Sequence, residues 1–112
     1  MLNCMAAGKK RPEKLVKVTD EAMMVRCVAG DGLIREEMWE DEQGNTVRYN
    51  LAFINFHLFS RVNGRVLGYD TAHGQLHRHF AGAVEVIEPA PFRVIVARFM
   101  SEIDELKLRR RL

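Results

Sequence analysis

Residues 46–61 read TVRYNLAFINFHLFSR, and this stretch decides the fold. It is rich in aromatic and β-branched residues and contains no Gly or Pro, which is typical of a β-strand. Both of its alternating faces are largely apolar, as expected of a strand that is covered on two sides. We therefore predict that these residues form the long central strand of a sheet.

The turn signals after this strand predict an antiparallel sheet. Asn63-Gly64 is a strong hairpin signal, so residues 65–71 are expected to return beside residues 46–61. Further short strands are predicted at residues 76–80 and 83–88, because both segments are apolar and bounded by turn residues.

The segments before residue 46 are defined by the turns between them. Gly30-Asp31-Gly32 and Gly44-Asn45 are turn signals. Between them, residues 33–42 contain Glu and Met, which suit a helix, but the turns on both sides favour a strand. Earlier in the chain we predict an edge strand, a turn and a second strand, at residues 15–18, 19–21 and 23–29.

The C-terminal segment has helical rather than alternating periodicity. Pro89 ends the strand pattern, and Pro91 suits the first turn of a helix. Apolar residues then recur at helical spacing: Phe92, Ile95, Val96, Phe99, Ile103 and Leu106. Residues 91–110 are therefore predicted to be an amphipathic helix. The predicted fold is α+β, an antiparallel, mostly meander β-sheet with one long C-terminal amphipathic helix packed on one face.

Length and composition bound the class of protein. The 112 residues suit a single modest core, with a disordered basic tail over residues 1–11 and one α+β domain over residues 12–112. A net charge of +2 neither demands nor excludes nucleic acid. No apolar run is long enough to span a bilayer, and neither cysteine has a CxxC partner. We expect a cytoplasmic protein without a membrane partner, and no cofactor because phosphate-loop motifs are absent.

Two-residue turns determine which residues pair across each hairpin. With Asn63-Gly64 as such a turn, His57 faces Asp70. The same reasoning at the preceding turn places Met38 opposite Leu51. The prediction is a polar face near the end of the sheet where a histidine-rich segment begins.

That segment, residues 68–79, reads GYDTAHGQLHRH and contains three of the four histidines. A carboxylate beside an imidazole orients it and favours its charged form, which suits a general acid or base. His77 and His79 share one strand face, whereas Arg78 points the other way. The candidate catalytic residues are His57, Asp70, His73, His77 and His79, and the candidate phosphate-binding residues are Arg61 and Arg78.

These side chains leave three functions open. Imidazoles with an arginine are the parts of a metal-independent ribonuclease, in which a base, an acid and a cation act on a phosphodiester. The same polar loop could instead be a non-catalytic module that binds a protein or a nucleotide. A metal-dependent hydrolase with His73, His77 and His79 as ligands is the third, although their spacing is not a specific metal motif.

Three short segments carry a family resemblance: RYNLA at residues 48–52, NGRVLGYDTAHG at residues 63–74, and HRH at residues 77–79. Together they resemble the small bacterial toxin-like proteins of the TumE type. Those proteins carry a strand that ends in an Arg- or Gly-Tyr-Asp-Asn-Ala-His signature, followed by a His-Lys/Arg-His element. Thr71 stands here where an Asn is usual. The resemblance covers roughly the middle third of the chain.

The resemblance implies the toxin half of a toxin–antitoxin pair, whose partner is a helix-turn-helix protein encoded next door. It implies no reaction, so the prediction of a ribonuclease with RNA as its substrate rests on the histidines and arginines alone. A long strand edge is also compatible with a homodimer.

Overall fold

A computed structural model of the chain describes residues 14–112. It contains one six-stranded antiparallel sheet whose strands lie in chain order, so the topology is a simple meander. The elements are β1 (Val16–Val25), β2 (Gly32–Glu40), β3 (Thr46–Ile54), β4 (Arg65–Asp70), β5 (His77–Phe80), β6 (Ala83–Val86) and α1 (Phe92–Leu106). The predicted fold class is confirmed. The predicted tail, residues 1–11, lies outside the described residues.

Helix α1 covers one face of the sheet and builds the core. Its fully buried residues Ile95 and Phe99 pack over β3 and β4. The rings of Tyr69 and Phe99 meet edge to face at 6.2 Å, which adds to the free energy gained by burying both. The helix begins after Pro91, as predicted, and ends at Leu106, four residues before the predicted end. None of the described helices is both long and apolar enough to cross a membrane.

The first two strands correct one prediction and confirm another. Residues 33–42 lie largely in β2, so the strand interpretation is right. The predicted turn at residues 19–21 is wrong, because β1 continues through it and pairs with β2 along its whole length. Asp20 lies within that strand and accepts hydrogen bonds from Lys17 and Arg35, both at 2.8 Å. Charged groups that look like a turn in the sequence are therefore paired across the strands.

The pairing of β2 with β3 differs from the prediction by two residues. Met38 pairs with Tyr49 rather than with Leu51. The loop between the strands is longer than two residues because the Asp41 carboxylate accepts hydrogen bonds from the backbone N–H groups of Gln43 and Asn45. Except at the irregularity beside Glu40, a shift of two keeps together on one face the side chains of β2 and β3 that were predicted to share a face.

The pairing of β3 with β4 differs in a way that changes the faces. The Asn63-Gly64 turn does form, with positive φ at both residues, but the strand before it is not β3. β3 ends at Ile54, and residues 55–64 form a longer connection. Asn50, not His57, pairs with Asp70. Moving the partner from residue 57 to residue 50 is an odd shift, so the faces are exchanged.

Asn55 explains why β3 ends where it does. Its side chain is only 1% exposed. The side-chain oxygen accepts hydrogen bonds from the backbone N–H groups of His57 and Leu58, and the side-chain nitrogen donates to the Gly30 carbonyl. A local side-chain bond of this kind competes with the strand ladder. Because β3 ends at Ile54, Phe56 lies outside the strand and is 60% exposed.

Candidate active site

The candidate site lies on the face of the sheet opposite α1, called the open face below. Tyr69 and Arg78 pair directly across β4 and β5, and both contact Glu102 of α1. Since side chains alternate along a strand, their neighbours Asp70, His77 and His79 project from the open face. The pairing of Asp70 with His77, and of Gly68 with His79, brings the three together.

Asp70 is the centre of this cluster. His79 Nε2 lies 2.7 Å from its Oδ2, and an Nη atom of Arg65 donates to the same oxygen at 3.2 Å. The backbone N–H of Ala72 donates to Oδ1 at 3.2 Å. His77 Nδ1 lies 3.6 Å from Oδ1, too far for a hydrogen bond. One carboxylate therefore orients one imidazole and one guanidinium.

Arg65 reaches Asp70 by lying flat across Gly68. A Cβ atom on Gly68 would come within 2.7 Å of Arg65 Cζ, so only glycine leaves room for this position. The same Nη atom also donates to the Asn50 side-chain oxygen at 3.3 Å. Arg65 Nε is buried without a hydrogen-bond partner among the described residues. A buried unpaired donor is costly in a folded protein.

The charges of the cluster follow from partial burial. The side chains of Asp70, His79 and Arg65 are 17%, 21% and 22% exposed. Burial opposes ionisation of Asp70, but hydrogen bonds from Ala72, His79 and Arg65 outweigh it and lower its pKa. Burial and the positive charge of Arg65 lower the pKa of His79, and Asp70 only partly opposes them. Asp70 is therefore an anion at neutral pH, and His79 is predominantly neutral.

This arrangement defines a free base nitrogen. A carboxylate accepts hydrogen bonds, so His79 carries its proton on Nε2, beside Asp70. Nδ1 of His79 is then the basic nitrogen, and it has no hydrogen-bond partner among residues 14–112. The His77 ring lies beside it, with the two ring centroids 6.5 Å apart. Two imidazoles so placed can contact the same small substrate group, one as a base and one as an acid.

Polar contacts continue from the cluster across the sheet. Asn50 donates to Glu37 at 3.0 Å, and Glu37 also pairs with Lys17 at 2.7 Å. Hydrogen bonds from Lys17 and Asn50 outweigh burial and lower the pKa of Glu37. The open face is therefore a polar surface, quite unlike the apolar face beneath α1.

Four of the predicted site residues lie elsewhere. The ring of exposed His57 rests on the Gly30 backbone, where an added Cβ would lie 2.6 Å from Nε2, so its predicted contact with Asp70 is wrong. Arg61 lies over the ring of Phe59. His73 is exposed in the turn between β4 and β5, and Arg78 pairs with Glu102 on the helix side. The predicted gathering of all four histidines does not occur.

Two residues of the cluster were missed by the sequence analysis, namely Arg65 and Asn50. Both residues lie in the cluster because of the observed register, in which Asn50 pairs with Asp70 and Arg65 begins β4. The available signal was Gly68, a glycine inside a strand, which marks a close approach by another group. Thr71, the departure from the TumE-type signature, accepts a hydrogen bond from the Tyr49 N–H and extends the ladder.

The predicted metal alternative requires three histidines to converge. Within residues 14–112, no group of three or more His, Cys, Asp or Glu side chains is arranged to hold a metal ion. His77 and His79 are adjacent to one carboxylate that Arg65 already neutralises in part. In the described part of the chain, the three histidines therefore do not form the ligand set that the metal alternative needs.

No family model, no curated protein and no solved structure matches this chain. Any assignment of function therefore depends on the geometry of the open face and on the sequence pattern of residues 48–79.

Proposed function

We propose that this protein is the toxin of a bacterial toxin–antitoxin module and that it cleaves RNA without a metal ion. The observation that carries the proposal is the Asp70–His79 pair at 2.7 Å, beside Arg65 and His77 on the open face. A carboxylate-oriented base, a second imidazole and a cation are the three groups that this cleavage needs.

Each residue has a defined role in the proposed reaction. Nδ1 of His79 takes the proton from a ribose 2′-hydroxyl, and the oxygen attacks the adjacent phosphorus. The bond to the 5′-oxygen breaks, and His77, acting as the general acid, gives that oxygen a proton. Arg65 stabilises the added negative charge of the phosphorane. The products are a 2′,3′-cyclic phosphate and a 5′-hydroxyl, so atoms and charge balance without a co-reactant.

Asp70 acts through His79 rather than on the substrate. It holds the Nε2 proton, which leaves Nδ1 free as the base, and it stabilises the imidazolium that forms. An Asp70→Asn change keeps the shape but lets the ring adopt the wrong tautomer. We therefore expect it to abolish cleavage nearly as completely as His79→Ala.

The experiment is growth after induced expression, with RNA integrity followed in the same cultures. Wild type is expected to arrest growth and fragment RNA, whereas His79→Ala and Asp70→Asn do neither at equal expression. His57→Ala is the matched control, because it removes an exposed histidine outside the cluster. If His79→Ala arrests growth as wild type does, the catalytic proposal is wrong.

The proposed protein partner is a helix-turn-helix antitoxin, and the resemblance of residues 68–79 to the TumE-type signature supports it. Co-expression of the protein encoded beside this gene should relieve the arrest and co-purify with the chain. A harmless wild type that still binds this neighbour would favour the non-catalytic binding module instead.

A further inference from the structure

A groove on the open face extends from the cluster towards Trp39. Its volume is about 390 Å³. The lining residues come from β2, β3 and β4 and the turn after β4: Glu37, Trp39, Arg48, Tyr49, Asn50, Arg65, Asp70 and Ala72. Because the groove shares Arg65 and Asp70 with the candidate active site, any molecule that fills it also reaches that site.

Trp39 is the aromatic surface of this groove. It pairs with Arg48 across β2 and β3, and the Arg48 Cζ lies 4.6 Å from its ring centroid. Lys17 Nζ lies 5.2 Å from the same ring. A partly exposed indole flanked by two cations combines an aromatic surface with positive charge, the combination that binds single-stranded nucleic acid.

The ion pairs that the structure describes on the open face do not include Arg48. Asp20 pairs with Arg35, Glu37 with Lys17, and Asp70 with Arg65. Arg48 is exposed and forms no ion pair with any residue in the part of the chain that the structure describes. Arg48 therefore offers an uncompensated positive charge to an anion at the end of the groove that is remote from Asp70.

The distance between Trp39 and Asp70 determines which part of a substrate can contact Trp39. Trp39 pairs with Arg48, and Asp70 pairs with Asn50 two residues further along β3. Two strand spacings and two residues along a strand place the backbones of Trp39 and Asp70 about 12 Å apart. This separation exceeds one nucleotide, so a base on Trp39 belongs to a residue flanking the scissile phosphate.

We infer that the groove binds single-stranded RNA, with a flanking base stacked on Trp39 and its phosphate at Arg48, while the scissile phosphate lies at His79. This inference rests on the proposed function, because it names the substrate that the cluster would cleave. Stacking requires an unpaired base, so duplex RNA is excluded from the groove.

The test uses Trp39 as its own reporter, because it is the single tryptophan of the chain. The probe is a mixed-sequence 12-nucleotide RNA with 2′-O-methyl groups throughout, which binds but cannot be cleaved. Titration should quench the tryptophan fluorescence of wild type. A fluorescein-labelled copy should bind Trp39→Leu about fivefold to a hundredfold more weakly, the range that loss of one stacked base produces. Trp39→Phe should largely restore affinity.

A second variant tests the same groove in case Trp39→Leu does not fold. Arg48→Gln should weaken binding and lower the slope of log affinity against log salt by about 0.7, the value for one phosphate contact to a single strand. Arg93→Gln is the matched control, since Arg93 is exposed on α1, away from the open face. It should leave affinity unchanged.

The outcomes separate this inference from the catalytic proposal. Quenching of wild-type fluorescence by the probe supports RNA binding even if wild type cleaves no RNA. Unchanged fluorescence on titration overturns the inference even if wild type cleaves RNA. Equal quenching by polyglutamate also overturns it, because the groove would then recognise negative charge or an acidic protein segment rather than a base.

Discussion

Asn55→Ala is the change that most severely tests how this sequence reaches its fold. The side chain is 1% exposed and makes three hydrogen bonds, two from the N–H groups of His57 and Leu58 and one to the Gly30 carbonyl. Alanine removes all three. Each backbone group left without a partner costs about 1–3 kcal/mol when buried, and less where water can reach it.

Water can replace the partner of the exposed His57 N–H, and the Leu58 N–H also donates to the Asn55 backbone carbonyl, which alanine retains. We therefore expect the free energy of unfolding to fall by about 1–3 kcal/mol. For a domain of this size the corresponding drop in the midpoint of thermal unfolding is about 5–15 °C. Urea unfolding followed by circular dichroism measures the first quantity, and a thermal melt measures the second. Hydrogen exchange should show faster exchange of the His57 and Leu58 amides.

Asn45→Ala is the matched control. Asn45 is exposed, and its side chain makes one hydrogen bond, to Asp41 at 3.3 Å, so its loss should cost less than about 0.5 kcal/mol. If Asn55→Ala changes the free energy of unfolding by no more than Asn45→Ala does, then Asn55 does not hold the connection between β3 and β4. The explanation of the register would then be wrong.

Three further predictions follow from the geometry. Gly68→Ala should displace Arg65 and thereby raise the pKa of His79, because Arg65 lowers that pKa in the wild type. NMR titration of the imidazole measures the pKa, and an unchanged pKa would contradict the coupling of Arg65 to His79. Glu102→Gln should lower the free energy of unfolding in urea by about 1 kcal/mol, because it weakens a partly exposed ion pair with Arg78. RNA cleavage should stay intact because both residues lie on the helix side, and a fully folded variant that no longer cleaves RNA would contradict this prediction. The pKa of His79 is lowered from 6.5, so the unfolded chain takes up a proton more readily than the folded chain, and the free energy of unfolding should fall as pH drops below about 6.5. His79→Gln should reduce the slope of the free energy of unfolding against pH, measured by urea unfolding at several pH values; an identical slope would contradict the burial of a neutral ring.

The fold was predictable because its signals are local. The aromatic and β-branched composition of β3, the turn at Gly44-Asn45 and the helical spacing of Phe92, Ile95 and Phe99 each depend on neighbouring residues. Apart from residues 55–64, the connections between successive strands are short, which makes the meander the natural order. One local signal led to a wrong prediction: Thr19-Asp20-Glu21 resembles a turn, but Asp20 pairs with Arg35 across the strands.

The register of β3 against β4 was not predictable in this way. Asn63-Gly64 forms the turn that its residue types favour, yet the partner strand ends nine residues earlier, at Ile54. The cause is a tertiary contact, because Asn55 bonds the Gly30 carbonyl, which lies 25 residues away in the chain. Sequence spacing alone contains no information about that contact.

The site was predictable where it depends on one hairpin. Asp70, His77 and His79 lie on two strands joined by a short connection, and their alternation places them on one face. The predicted positions of His57 and Arg61 depended on the wrong register, and in the structure both residues lie outside the cluster. Arg65 was missed because its side chain runs along its own strand, over Gly68, to reach a residue five positions later.

Cleavage by the purified protein tests the central claim most directly. RNA should be incubated with wild type, His79→Ala and His57→Ala in excess EDTA, and the new ends identified. We predict that wild type and His57→Ala leave 2′,3′-cyclic phosphate and 5′-hydroxyl ends, and that His79→Ala leaves RNA intact. Intact RNA with folded wild type, or equal cleavage by His79→Ala, would contradict the assignment of the Asp70–His79 pair as an active site.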